Sequence, residues 1–187
     1  MNRHVIVSLI ALTIAIPALG ATFVQDSGTQ GLLSMEAENY EAVFNRNGHS
    51  WVLQGAPITG PSGAGAMEST PDNGTQYSGP ASNTAPELEF SAEFTHTGTH
   101  YVWIRGVAPG PNSNAVNVGL SGVPTPTSAN VNLPPPSTDY TWSDGGDTVD
   151  VTNVGVQQVN VWMREDGVVV DKIVLTTDPN YVPSGTG

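Results

Sequence analysis

Apolar and polar residues alternate along several stretches of this chain, which is the pattern of β-strands with one buried face. Residues 87–94 show it most clearly, because every even-numbered position from 88 to 94 is apolar. Residues 101–105 are large on both faces, which predicts a central strand. The pattern predicts strands at residues 31–37, 87–95, 99–106, 115–120, 147–152, 156–164 and 168–176.

Turn-rich segments separate these strands and hold most of the 15 prolines and 21 glycines. No convincing amphipathic helix longer than about ten residues is found. Many short strands joined by Gly and Pro turns predict an all-β fold, a β-sandwich or jelly roll of two antiparallel sheets. The turn Glu165-Asp166-Gly167, between apolar runs at 159–164 and 168–175, predicts the clearest hairpin.

The first 20 residues have the features of a secretory signal peptide. A short basic start at residues 2–4 precedes an apolar run, and Ala18-Leu19-Gly20 fits a cleavage site. The alternative is a membrane anchor, but the run is short for a span of about 20 residues. We expect a signal peptide at 1–20, a lead-in at 21–30, one domain at 31–178, and a tail or the start of a linker at 179–187.

The composition is acidic, with 17 Asp and Glu residues against five Lys and Arg, a formal charge of -12 and no cysteine. Because phosphate binding needs a basic face, a nucleic-acid partner is not expected. An exported chain without cysteine suggests secretion to the outside of a bacterial cell. A bound cation could then supply the cross-link that disulfides do not.

Three carboxylates stand out. Glu36 and Glu38 would lie side by side on an extended strand, where like charges repel. Asp171 interrupts an aliphatic strand, and we do not expect it to pair with Lys172, because neighbouring strand residues point to opposite faces. Either the three are solvated, or Asp171 meets the two glutamates across adjacent strands and forms the hard-oxygen site that Ca²⁺ prefers.

Four motifs resemble those of carbohydrate-binding modules of families 6 and 35. They are Glu-Ala-Glu-Asn-Tyr at 36–40, Tyr-Val-Trp-Ile-Arg at 101–105, Tyr-Thr-Trp at 140–142 and the last strand with its aspartate. The ending at 161–181 also resembles the galactose-binding-like domains at the C-terminus of family 115 glycoside hydrolases. The resemblance covers about residues 32–181. It implies a jelly roll of two antiparallel sheets.

The resemblance also implies two sites. A structural Ca²⁺ would be held by Glu36, Glu38 and Asp171, with backbone carbonyls from Asn45–Trp51. A sugar would lie in a cleft at one end of the sandwich, on an aromatic platform with polar groups around it. The candidate sugar ligands are Trp142, Tyr77, Trp51, Asn112, Asn114 and Asp166.

One position departs from the family. Sugar-binding members commonly carry Asn two positions before the final aspartate, and Val169 stands there. Glu165 and Asp166 on the adjacent turn could substitute, although anions would favour a different ligand. Trp103 and Trp162 lie in mid-strand and are expected in the core.

The sequence assigns no ligand-binding role to Arg105, His96 or His100. Arg105 is expected to pair with an acidic neighbour. His96 and His100 are expected at the surface, because no third zinc ligand stands at a recognisable spacing.

The sequence therefore predicts a secreted, non-catalytic carbohydrate-binding module with one structural calcium ion, whose partner is a polysaccharide or oligosaccharide. The alternative is an ancillary structural or adhesion domain on the same scaffold without a sugar site. An enzyme is least favoured, since the chain has no Cys, Gly-x-Ser-x-Gly or His-Glu-x-x-His motif. The module could still accompany a glycoside hydrolase as an accessory domain.

Overall fold

The computed structural model describes residues 21–54, 60–79 and 83–187, so the predicted signal peptide lies outside the described residues. These residues form short β-strands and two 3-10 turns, Ala37–Asn39 and Pro126–Ser128. The strands are β1 (Phe23–Val24), β2 (Leu33–Glu36), β3 (Ala42–Phe44), β4 (Ser50–Leu53), β5 (Met67–Thr70), β6 (Glu87–Phe94), β7 (Gly98–Val107), β8 (Ala115–Leu120), β9 (Val123–Pro124), β10 (Val131–Asn132), β11 (Thr141–Trp142), β12 (Asp147–Val151), β13 (Gly155–Met163) and β14 (Val169–Thr176).

The strands form two sheets. Sheet 1 has the order β1-β6-β13-β8-β10, with β3 beside β6 and β9 beside β8. Sheet 2 has the order β11-β7-β14-β5-β4, with β12 also beside β7 and β2 beside β14. The short β1 runs parallel to β6, and the other described pairs are antiparallel. The predicted all-β sandwich is confirmed, and all seven predicted strands are present.

The core lies between the two sheets and follows the alternation read from the sequence. Leu88 and Phe90 of β6 are fully buried against side chains of sheet 2 such as Ile104 and Ile173. Trp162 is also fully buried. Strand β7 is central as predicted, because it pairs with β14 on one edge and with β11 and β12 on the other.

The predicted hairpin at 159–175 is wrong. Its first strand, β13, belongs to sheet 1, and its second, β14, belongs to sheet 2. The turn between them crosses from one sheet to the other. It is held by other loops, since Gly167 donates its backbone N–H to Ser69 at 2.8 Å and adopts φ of +77°. A Gly turn between apolar runs therefore does not distinguish a hairpin from an arch between sheets.

The other seven strands, β1, β3, β4, β5, β9, β10 and β11, were not predicted. They have two to four residues each, too few for alternation to be visible. Between β3 and β4, Asn47 and Gly48 form a two-residue turn with φ of 50° and 79°. In the described part of the chain, no helix is long and apolar enough to cross a membrane.

Candidate functional site

Strand β14 carries a bulge at Asp171, on the face of sheet 2 that points away from sheet 1. Its register against β7 shifts between Val170 and Lys172, which leaves Asp171 as an extra residue. Val170 and Ile173 on either side belong to the core. The bulge therefore places Asp171 and Lys172 on the same outer face, which overrides the strict alternation that we expected.

The predicted adjacency of Asp171 and Glu36 is present. Strand β2 lies beside β14, with Glu36 opposite Lys172. The hydroxyl of Ser62 donates to Glu36 Oε2 at 2.5 Å or to Asp171 Oδ2, which lies 2.9 Å away. The backbone N–H of Ser62 donates to Asp171 Oδ1 at 2.8 Å. Ser62, a loop residue that precedes β5, therefore bridges the two carboxylates.

Each of these carboxylates also has a cation from the chain. Arg105 Nη1 lies 2.5 Å from Asp171 Oδ2, and Lys172 Nζ lies 3.0 Å from Glu36 Oε1. Asp171 is fully buried and Arg105 is 7% exposed. The guanidinium of Arg105 also stacks over the ring of Tyr140, 4.8 Å from its centroid. The expected pairing of Arg105 with an acidic neighbour is confirmed.

Glu38 does not lie beside Glu36 on the strand, because β2 ends at Glu36 and Glu38 belongs to the 3-10 turn that follows. Its Oε1 accepts the backbone N–H of Ala64 at 2.6 Å. A Cβ on Gly63 would lie 2.0 Å from this oxygen, so a larger residue there would displace the Glu38 carboxylate. The other oxygen, Oε2, is buried and has no hydrogen-bond partner. We call Glu36, Glu38, Asp171, Arg105, Lys172 and Ser62 the carboxylate cluster.

The calcium prediction does not fit this arrangement. Both oxygens of Glu36 and both of Asp171 already accept from protein donors, and Arg105 and Lys172 place positive charge beside these carboxylates, which would repel a cation. Among the described residues, no group of three or more His, Cys, Asp or Glu side chains is placed to hold a metal ion. The backbone that contacts the carboxylates comes from Ser62 and Ala64, whereas the carbonyls of Arg46 and His49, within the predicted Asn45–Trp51, accept from each other's backbone N–H groups.

A cavity of about 280 Å³ lies beside Trp142, which is partly buried at the β11 edge of sheet 2. Its lining combines apolar and polar groups. Leu133, Pro134 and Pro135 form the apolar part, and Asn114, Asn132 and Asp144 form the polar part. A pyranose ring has an apolar C–H face and a polar rim, so this composition suits a sugar.

Two of the predicted sugar ligands, Trp142 and Asn114, therefore share one cavity. Asn114 is held in place, since its Nδ2 donates to Leu133 O at 3.0 Å and its backbone N–H donates to Glu165 Oε2 at 3.0 Å. Asn112 lies exposed on the same loop but does not line the cavity. The sequence did not single out Asn132 or Asp144.

The other predicted ligands have structural places. Trp51 is 3% exposed and belongs to the core, so it cannot stack on a sugar. Asp166 is fully buried and accepts the backbone N–H groups of Asn73 at 2.8 Å and Thr75 at 2.9 Å. The assignments of Trp51 and Asp166 are corrected, because burial leaves Trp51 no free ring face and leaves Asp166 no free oxygen for a ligand. Tyr77 is half-buried, packs against the core and does not line the Trp142 cavity, so its role as a sugar ligand stays a prediction.

The histidine assignment is also corrected. His100 is fully buried and contacts the Phe94 ring edge-on. The Nε2 atoms of His100 and Gln25 lie 2.7 Å apart and form a hydrogen bond. Burial lowers the pKa of His100, because a charged imidazole would lose its hydration there. Glu165 is likewise mostly buried and bonded to Asn114 and Arg164, so it does not substitute for the missing asparagine of the family.

Asp144 lines the cavity and Asp147 follows it by three residues, and neither forms a salt bridge within the described part of the chain. Burial, and secondarily the charge of Asp144, raises the pKa of Asp147 to about 6. Asp144 itself is exposed and accepts the backbone N–H of Gly146 at 3.1 Å. The electrostatics here differ from those of the carboxylate cluster, where Arg105 and Lys172 pair with Asp171 and Glu36.

Comparisons with known proteins place the fold. No protein-family model matches the chain. It is 30% identical over 112 residues to "Uncharacterized protein P23" of Formosa agariphila, a match that covers 54% of this chain and 27% of that protein. The chain thus spans about a quarter of the length of this curated relative.

Two solved structures share the architecture. A family 35 carbohydrate-binding module (CBM35) from Paenibacillus barcinonensis matches with a TM-score of 0.56, 15% identity, and coverage of 78% of this chain and 98% of that one. The GH26-CBM35 β-(1,4)-mannanase of Podospora anserina matches with a TM-score of 0.56 and 17% identity, over 81% of this chain and 29% of that one. The chain therefore has the β-sandwich fold of these modules.

Proposed function

We propose that this protein is a secreted, non-catalytic carbohydrate-binding module that holds a protein or partner enzyme on a polysaccharide. The observation that carries the proposal is the cavity beside Trp142. It combines an indole platform and two prolines with the side chains of Asn114, Asn132 and Asp144. These groups match the apolar face and the polar rim of one sugar ring.

Three further observations support this proposal. The fold is that of modules named for carbohydrate binding, one of them joined to a mannanase. The ending at 161–181 resembles accessory domains of family 115 glycoside hydrolases, which favours a role beside an enzyme. The signal-like start at residues 1–20 favours secretion. The proposal needs no calcium ion, because Arg105 and Lys172 already pair with Asp171 and Glu36.

Affinity electrophoresis on a panel of plant and algal polysaccharides tests the proposal. We expect retardation by at least one polysaccharide, and a loss of affinity of about tenfold or more in Trp142→Ala, because the stacking face is removed. Phe44→Ala is the matched control, since Phe44 is an aromatic on sheet 1 that is 40% exposed and lies outside the cavity. Equal losses in both variants would contradict a site at Trp142.

The second candidate is an ancillary structural or adhesion domain without a sugar site. Val169 favours it, because this position packs against Ala66 and Val107 and offers no polar group. A full panel of polysaccharides without any retardation of the wild-type chain would favour this second function and reject the first.

A further inference from the structure

The residues that follow Tyr181 do not extend freely from the domain. Residues 184–187 form a tight turn, in which Gly187 donates its backbone N–H to Ser184 O at 3.0 Å. Pro183 before it is buried. The sequence had suggested a tail or the start of a linker here, so the contacts of this turn need a separate explanation. We call residues 184–187 the C-terminal turn.

The carbonyls of the C-terminal turn point at sheet 2. Gly185 O accepts from Trp142 Nε1 and from Arg105 Nε, both at 3.2 Å. Thr186 O accepts from Lys172 Nζ at 2.6 Å. The turn therefore bonds at the same time to the aromatic platform of the cavity and to both cations of the carboxylate cluster.

The C-terminal turn also touches the indole ring directly. A Cβ on Gly187 would lie 2.9 Å from Trp142 Cζ2 and 3.0 Å from Cη2. The hydrogen bond from Nε1 lies in the plane of the indole, so the turn engages this edge of the ring. Trp142 belongs to a strand of only two residues, which fixes its backbone but leaves its side-chain torsions to other contacts.

We propose that the C-terminal turn is the positioning element that orients Trp142 for the ligand of the adjacent cavity. The turn fixes the indole by one hydrogen bond and one packing contact, and it is itself anchored on Arg105 and Lys172. This inference rests on the proposed sugar site. It adds that affinity depends on residues 185–187, which do not line the cavity.

The test compares the full chain with a chain that ends at Val182. Trp142 is partly exposed, whereas Trp51, Trp103 and Trp162 are 3%, 8% and 0% exposed, so a change in acrylamide quenching reports mainly on Trp142. We expect the shortened chain to remain folded, to be quenched more strongly, and to bind its polysaccharide about tenfold more weakly. Trp142→Phe should lose affinity similarly, and shortening should then cost nothing more.

A point variant keeps the proposal testable if the shortened chain is unstable. Gly187→Ala should disturb the indole through its new methyl group, whereas Gly98→Ala, at another positive φ with open space around it, should not change quenching or affinity. Unchanged quenching in Gly187→Ala and in the shortened chain would overturn the proposal. Stronger binding by the shortened chain would also overturn it, because the turn would then cover the site. If the full chain binds no polysaccharide, the proposed function fails, while quenching still decides whether the turn orients Trp142.

Discussion

The carboxylate cluster lies on the outer face of sheet 2, and the Trp142 cavity lies beside the β11 edge of that sheet. The C-terminal turn contacts the cluster and Trp142, yet the two regions differ in how their polar groups are satisfied. In the cluster, Asp171 is fully buried and every oxygen of Asp171 and Glu36 has a donor from the protein. Around the cavity, Trp142 is only partly buried, and Asn132 and Asp144 are exposed.

This difference separates the structural role of the carboxylate cluster from the candidate binding role of the cavity. Buried charges that are fully paired stabilise one arrangement and have nothing left for a ligand. Exposed polar groups around an aromatic ring keep their hydrogen-bonding capacity for a molecule from outside. The residues with the most distinctive sequence pattern therefore hold the fold together, whereas a less distinctive set lines the candidate site.

The largest expected effect comes from breaking the cluster. Arg105→Gln leaves Asp171 buried without its cation, which for a buried pair costs about 3–5 kcal/mol of unfolding free energy. Urea unfolding measures this loss. The matched control is Arg164→Gln, since Arg164 lies 3.1 Å from Glu165 Oε1 with 22% of its side chain exposed. The control should cost less than Arg105→Gln, because Arg164 is more exposed than Arg105 and Glu165 keeps the backbone N–H of Asn114 as a donor.

If Arg105→Gln lost no more unfolding free energy than the control, Asp171 would not depend on its cation, and the contrast between the cluster and the cavity would be wrong. The double variant Arg105→Met with Asp171→Leu sharpens the test. It removes both charges at once, and it should be more stable than Arg105→Gln because no buried charge is left unpaired.

The sequence predicted which strands of the cluster lie side by side better than it predicted how the charges of the cluster are paired. The interrupted strand at Asp171 and the repeated glutamates correctly brought β2 beside β14. The bulge could not be predicted, because it depends on the register between β14 and β7, strands that are about 60 residues apart in the chain. Without the bulge, Lys172 appeared to face away, and a metal ion seemed necessary to neutralise the acids.

The cavity was predicted only in part, for a similar reason. Trp142 and Asn114 were proposed from residue type and loop position. Asn132 and Asp144 carry no signal in the sequence, since single polar residues in segments rich in Pro or Gly are common at surfaces. Trp51 was misassigned because the short strand β4 that buries it has no visible alternation.

A smaller effect is expected at Asp147, which follows the cavity residue Asp144 by three positions. Its pKa is raised to about 6 from 3.8, so between these values the folded protein binds more protons than the unfolded chain. Stability should therefore fall as the pH rises from about 4 to about 6. Asp147→Asn removes this cost and should be more stable than wild type at pH 7, by about 1 kcal/mol after allowance for solvent screening.

Denaturant unfolding at pH 4 and pH 7 checks this prediction, with Asp150→Asn as the control for replacing a carboxylate on the same strand, β12. Asp147→Asn should gain relative to wild type only at the higher pH. A gain of the same size at both pH values would show that the charge of Asp147 is not the cause.

The smallest effect is expected from chelation. Because Arg105 and Lys172 already neutralise Asp171 and Glu36, removal of calcium should leave the thermal midpoint unchanged. Differential scanning calorimetry with excess chelator, and with calcium restored, measures this directly. A fall in the midpoint that calcium reverses and magnesium does not would contradict it. That result would mean that the unpartnered Oε2 of Glu38 marks a cation site, and that the cluster rearranges to bind the ion.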